Sequence, residues 1–368
     1  MSAMQTNSGN RWIRVGWTAS ALLLALGIVA LVLYGTGAFD SWRDARSLDR
    51  ACGGALAQKG LEAALGTSDP RGESHDTERG LLAQCSVKTA GSGTGKALDI
   101  TLRWSNETPP SGSLAAYSED YNGFKGQAAP LGNGWSGVVR HDGTTQIMVA
   151  LDCRNQKSKA LVAYGDLYGE TNSGTLAGLG RVTAETAQRA AQKHDCQVQA
   201  GEPLVKVSTA KLGDPDTAEP LKQAQGSCAS LRDLARTAAQ NGVPEVMEYP
   251  TDTHAPQTNC YLVTSQKKPG FGLYAYYGAS AKDFLRSEGD QLKQGTGPIY
   301  GDKDYAWATA SCPQSTQRAV FVLYHLYDRA TDSPPITHYS AEFATSALKA
   351  FATHEAETRG CTDVRMAS

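Results

Sequence analysis

The sequence predicts an α+β protein: an N-terminal transmembrane helix, then two tandem copies of a disulfide-stapled domain built as helix, antiparallel sheet and helix. Three observations lead there. An uncharged run of 25 residues, Val15–Phe39, lies near the N-terminus; all eight cysteines follow it; and they fall into two sets of four at similar intervals.

The apolar run comes first. At about 1.5 Å per residue it crosses a hydrocarbon core of about 30 Å with some tilt. Arg11 and Arg14 precede it, no acid occurs before it, and Asp40, Arg43 and Asp44 follow it in mixed sign. The positive-inside bias then expects residues 1–14 as a cytoplasmic tail, 15–39 as a single membrane span and the remainder outside the cytoplasm. A cleaved signal peptide is the competing reading, with Gly35 and Gly37 as a weak cleavage site. The run is longer than a typical signal h-region, which favours a retained signal-anchor in the cell membrane.

Cys52, Cys85, Cys153, Cys196, Cys228, Cys260, Cys312 and Cys361 all lie beyond that run. An even count in an exported segment argues for disulfides, and the absence of any C-x-x-C pair removes the usual zinc and thioredoxin-like spacings. The formal charge of −2 gives no basic surface for nucleic acid. Neither a cofactor nor a metal is expected.

Splitting the cysteines into fours exposes the duplication. Cys52 to Cys85 spans 33 residues and Cys228 to Cys260 spans 32; the closing intervals, Cys153–Cys196 and Cys312–Cys361, span 43 and 49. "CGGALAQKGLEAALG" and "CASLRDLARTAAQNG" open the copies, and both reach a glycine, Gly66 or Gly242, of the kind that ends a helix. Leu48, Cys52 and Leu56 share one helical face, as do Cys228, Leu231 and Ala235. "LLAQCSVKT" and "TNCYLVTS" then read as strands carrying the second cysteine. After a turn, "ALDITLRW" alternates Leu98, Ile100, Leu102 and Trp104 with polar residues, the period of a half-buried strand, and "GLYAYYG" takes its place in the second copy. From the third cysteine, "CRNQKSKALVAYGDLYG" and "CPQSTQRAVFVLYHLYD" align without a gap, Ala160 on Ala319. An alanine-rich helix ending in a cysteine closes each copy. Repeat 1 is placed at 44–197, a linker with one short strand, "LVKVS", at 198–223, and repeat 2 at 224–363.

Four cysteines per copy allow three pairings. The preferred set joins a helix to a nearby strand each time: Cys52–Cys85, Cys153–Cys196, Cys228–Cys260 and Cys312–Cys361. The short N-terminal tail, the anchor and the four-cysteine unit opening "RSLDRACGGALAQKGLEAALG" resemble uncharacterised membrane-anchored exported proteins of actinobacteria, single-pass proteins with a duplicated extracytoplasmic domain. The resemblance is structural and carries over no catalytic residue.

Motifs of chemistry fail one by one. "AGSGTGK" lacks the leading glycine and the closing Ser or Thr of a phosphate loop and sits between two strands. Ser208–Lys211, Ser265–Lys268 and Ser346–Lys349 match S-x-x-K without the partner motifs of a serine acyl-enzyme. The seven histidines show no zincin spacing. Tyr274, Tyr276, Tyr277, Tyr300 and Tyr305 with Trp307 form an aromatic group in repeat 2, a possible binding surface whose simpler reading is packing of the sheet. The expected function is a non-enzymatic binding or sensing ectodomain with a cell-envelope or membrane protein as partner. The alternatives are an assembly subunit of an envelope complex and an envelope enzyme whose site follows no motif.

Overall fold

The computed structural model describes residues 38–367 apart from 76–79, 90–94, 106–127, 143, 157–158, 208–211, 213–216, 293–296, 299–303, 314, 316, 329–330, 332 and 338. Repeat 1 comprises α1 (Ala38–Gly54), α2 (Leu61–Leu65), β1 (Pro70–His75), β2 (Leu81–Thr89), β3 (Ala97–Trp104), β4 (Ala128–Pro130), β5 (Gly137–Asp142), β6 (Thr144–Asp152), β7 (Ala160–Tyr168) and α3 (Ser173–Lys193). Repeat 2 follows with β8 (Glu219–Pro220), α4 (Ala235–Gln240), β9 (Glu245–Glu248), β10 (Gln257–Val263), β11 (Pro269–Tyr276), α5 (Gly278–Leu292), β12 (Gly297–Pro298), β13 (Asp304–Ser311), β14 (Ala319–His325), α6 (Ala341–Thr358) and β15 (Thr362–Met366).

The fold class headed by a transmembrane helix is corrected to mixed helix and sheet with four disulfides. Among the described residues no helix is long and apolar enough to cross a membrane. The expected cytoplasmic tail and the apolar run up to residue 37 lie outside the described residues. The run's last two residues, Ala38 and Phe39, open α1, which continues at once through Asp40, Arg43 and Asp44.

Both sheets are antiparallel. Sheet 1 has the order β1-β2-β3-β7-β6-β5-β4, and sheet 2 the order β12-β13-β14-β11-β10-β9-β8, with β15 also pairing on β13. Read from the other edge, β9-β10-β11-β14-β13-β12 repeats the succession β1-β2-β3-β7-β6-β5. The register agrees as well. Cys85 stands opposite Ile100, Ile100 opposite Gly165 and Gly165 opposite Ile147; Cys260 stands opposite Leu273, Leu273 opposite Leu323 and Leu323 opposite Ala306.

This register corrects the gapless match. Ala160 points to the outer face of sheet 1, whereas Ala319 lies in the inner core of sheet 2. The true equivalent of Ala319 is Leu161, because each pairs with the strand before it at the same level, Leu151 and Ala310. The connection after the third cysteine is one residue shorter in repeat 2. A slip of one residue in a strand exchanges its two faces.

The inner face of each sheet carries the core. Leu98, Ile100 and Leu102 meet Leu176, Leu179 and Val182 of α3 in repeat 1, and Leu273, Ala275 and Phe321 meet Phe343, Leu348 and Phe351 of α6 in repeat 2. The disulfides join Cys52 to Cys85, Cys153 to Cys196, Cys228 to Cys260 and Cys312 to Cys361. Each therefore fastens an end of the covering helical layer to the sheet side. On the chain-entropy model each bridge contributes about 4 kcal/mol.

Two local expectations change. The opening helix of repeat 1 does not run to Gly66: helical geometry fails at Ala51, Cys52 and Gly53, the last two at φ 52° and 63°, and α2 then forms a separate turn. The Gly53–Gly54 pair makes that break inexpensive. "LVKVS" is not a strand. Leu204 and Val207 pack into the core of repeat 1 on Gly180 of α3, so this part of the expected linker belongs to the domain.

The outer faces meet around α5. Ala128, Val138, Met148, Ala150, Val162 and Tyr164 of sheet 1 form one cluster with Ala255 and Ala279 of repeat 2. The other side of α5, Ala281, Phe284 and Leu285, covers the outer face of sheet 2, with Phe284 stacked on Tyr276 at 4.6 Å between centroids. Asp283 pairs with Arg286, whose guanidinium also donates to the Ser105 carbonyl of repeat 1. The layers thus run helix, sheet, shared helix, sheet, helix.

Close packing of α3 on sheet 1 depends on Gly165. A Cβ there would stand 2.0 Å from Thr183 Oγ1. We predict that Gly165→Ala costs about 1–3 kcal/mol in urea unfolding and that adding Thr183→Ala recovers the larger part.

Candidate functional site

Where the end of β6 faces the start of α5, the two repeats leave a cleft of about 520 Å³. That volume lies within the range of small-molecule sites. Repeat 1 supplies Ser136, Ala150, Asp152, Arg154 and Gln199; repeat 2 supplies His254, Ala255, Tyr277, Gly278, Ala279 and Arg359.

Asp152 is the last residue of β6, fixed on one side by pairing with Ala160 and on the other by the Cys153–Cys196 bridge. Its carboxylate accepts from the backbone N–H of Ala279, so repeat 1 caps the first turn of a helix in repeat 2. Gly278 stands at φ 52°, and a Cβ there would come 2.5 Å from Asp152 Oδ2. Solvent in the cleft reaches Asp152, yet both repeats crowd it. Burial pushes its carboxyl up to about 6, against the opposing pull of the Ala279 N–H and the Lys282 ammonium.

The facing wall is built from Arg359, just past α6. Its guanidinium lies 3.6 Å over the Tyr277 ring and donates to the carbonyls of Asp252, Thr253 and Ala255 and to Thr258 Oγ1. Glu355 stands 3.7 Å away and accepts from the Tyr277 hydroxyl at 2.8 Å. Arg359 therefore holds the loop before β10 in place. At the rim, Arg154 donates to Gln199, and His254 Nδ1 lies 3.3 Å from Asp252.

A second polar arrangement lies on the outer face of sheet 1. Ser86, Asp99, Asp166 and Gln146 stand side by side across four strands. Ser86 Oγ donates to Asp99 Oδ1 at 2.6 Å and lies 2.7 Å from His75 Nε2. Gln146 donates to Asp166, whose carboxyl is raised by burial. This order places the serine between histidine and aspartate. A nucleophile triad needs the histidine in the middle to take the serine proton; here that proton points to Asp99, and Ser86 is not activated.

The predicted aromatic surface is a packed layer. Tyr274, Tyr276 and Tyr305 are buried under α5 and its neighbours, Tyr277 is buried against Phe321, and Trp307 is half-buried at the edge of the same cluster. Tyr300 lies outside the described residues. Tyr274, Tyr276 and Tyr305 thus lie beneath other side chains, while Tyr277 borders the cleft. The eight cysteines are all bridged, so none is available for nucleophilic or metal chemistry. Among the described residues no group of three or more His, Cys, Asp and Glu side chains is placed to hold a metal.

The residues that line the cleft carry no motif. Asp152 differs from its counterpart in repeat 2, Ser311, at a position fixed by the following cysteine. That asymmetry was the one signal in the sequence. We predict that the Asp152 carboxyl titrates with a midpoint near 6, seen in its side-chain carbon resonance. Because this folded-state value lies above the ordinary 3.8, the stability it contributes is full below that ordinary value and is lost as pH rises through about 6; Asp152→Asn removes that component of the pH profile. The chain matches no protein-family model, and no curated protein or solved structure is similar to it.

Proposed function

We propose that this chain is an extracytoplasmic binding or sensing protein, without catalytic activity of its own, whose ligand occupies the cleft between the two repeats. The observation that carries this reading is the cleft itself: it has the volume of a small-molecule site, and both repeats build its walls. Four disulfides with no free cysteine support an oxidising compartment. The His75–Ser86–Asp99 order on sheet 1, with the serine in the middle, supports binding over turnover. A ligand held by both repeats biases their mutual position, which an envelope partner protein can read.

The test is hydrogen exchange of the disulfide-intact chain with and without the low-molecular-weight fraction of the envelope it comes from. The expected result is protection confined to residues 150–154, 253–256 and 277–279, abolished by Ser136→Trp, which fills the cleft. Protection elsewhere, or protection that survives Ser136→Trp, contradicts the assignment.

A further inference from the structure

We propose that the cleft takes its ligand by a cationic group, an ammonium of the primary-amine class, docked on the carboxylate of Asp152. This rests on the cleft being the binding site and names what that site recognises.

The charged side chains that line the cleft are Asp152, Arg154, His254 and Arg359. Three of them are engaged. Arg359 gives its guanidinium to three carbonyls, Thr258 and the Tyr277 ring, with Glu355 beside it. Arg154 donates to Gln199, and His254 faces Asp252. Asp152 is the carboxylate among them, at the seam of the two repeats: it offers about four acceptor positions, and the bond from the Ala279 N–H fills one. The glycine at 278 leaves the approach to Oδ2 without a side chain.

The electrostatics agree. Crowding by the two repeats raises the Asp152 carboxyl more than the Ala279 N–H and the nearby Lys282 lower it, so its negative charge is under-compensated where it stands. A cation placed against it removes that deficit. Around the carboxylate, Ala150, Ala255 and Ala279 supply apolar walls suited to the methylene stem that carries an amine. An anionic ligand has the opposite fate, since the first turn of α5 already holds Asp152 and a second negative group there meets like charge. In repeat 2 the counterpart Ser311 accepts from Arg318, so the duplicated unit provides this carboxylate once.

The test uses the full disulfide-bonded chain and three isosteric probes, n-butylammonium, butanoate and n-butanol, followed through the backbone resonance of Ala279. At pH 7 n-butylammonium is expected to give a saturable shift, while butanoate and n-butanol give none at the same concentrations. Its affinity falls about tenfold between pH 7 and pH 5, as a group titrating near 6 requires. Asp152→Asn, which keeps an acceptor for the Ala279 N–H, weakens it at least tenfold; Arg232→Gln, a charge change at an exposed residue that does not line the cleft, leaves it unaltered. The wild-type pH series needs no substitution and stands even if a variant folds poorly. Stronger binding of butanoate or n-butanol, or undiminished amine binding by Asp152→Asn, overturns the ammonium assignment and leaves the cleft reading in place. Silence from all three probes overturns both.

Discussion

One helix serves two sheets. α5 lays Ala279 against the apolar part of the outer face of sheet 1 and Phe284 against the tyrosines of sheet 2, so the apolar clusters of both outer faces meet on the same fifteen-residue element. A sheet with helices on its inner face alone leaves the other face to water, and the apolar content of these two faces makes that costly. The shared helix removes the cost for both repeats at once. It also sets their separation, and the cleft beside its first turn is a consequence of that separation.

The duplicated scaffold has diverged on the faces that α5 does and does not dominate. At one level across sheet 1 stand Ser86, Asp99, Asp166 and Gln146; at the same level across sheet 2 stand Tyr261, Gly272, Tyr324 and Tyr305. The inner faces keep their apolar character in both copies, because each must pack on its own terminal helix. The outer faces were free to change, one toward a hydrogen-bonded polar row and the other toward a stacked aromatic layer. The same freedom placed Asp152 in one copy and Ser311 in the other.

Much of the frame was legible in the sequence. The alternation in "ALDITLRW" gave β3 and its buried side, the cysteine intervals exposed the duplication, and joining a helix to a nearby strand singled out the pairing that the structure contains. Local periodicity reports which face of a strand is apolar and does not report what covers the opposite face. Tyr274 and Tyr276 therefore read equally as surface or as packing until α5 is seen lying on them. The one-residue contraction after Cys312 was hidden because Ala160 and Ala319 are the same residue type on opposite faces. The break at Cys52 followed from a Gly-Gly pair inside an otherwise helical pattern, and "LVKVS" looked like a strand from its apolar residues although Leu204 and Val207, three positions apart, are buried without any ladder. The cleft was invisible for a simpler reason: its walls come from segments scattered along the chain, from Ser136 and Asp152 to Tyr277 and Arg359.

The disulfides hold each repeat to its own helical layer, and none crosses between repeats. Coupling of the two halves therefore depends on α5 and the contacts around it. Calorimetric unfolding of the oxidised chain tests this most directly. A single cooperative transition is expected for the native chain, splitting into two when Ala279→Arg forces α5 away from sheet 1. Two independent transitions in the native chain would contradict the account, because the repeats would then be separate bodies and the cleft between them no fixed site.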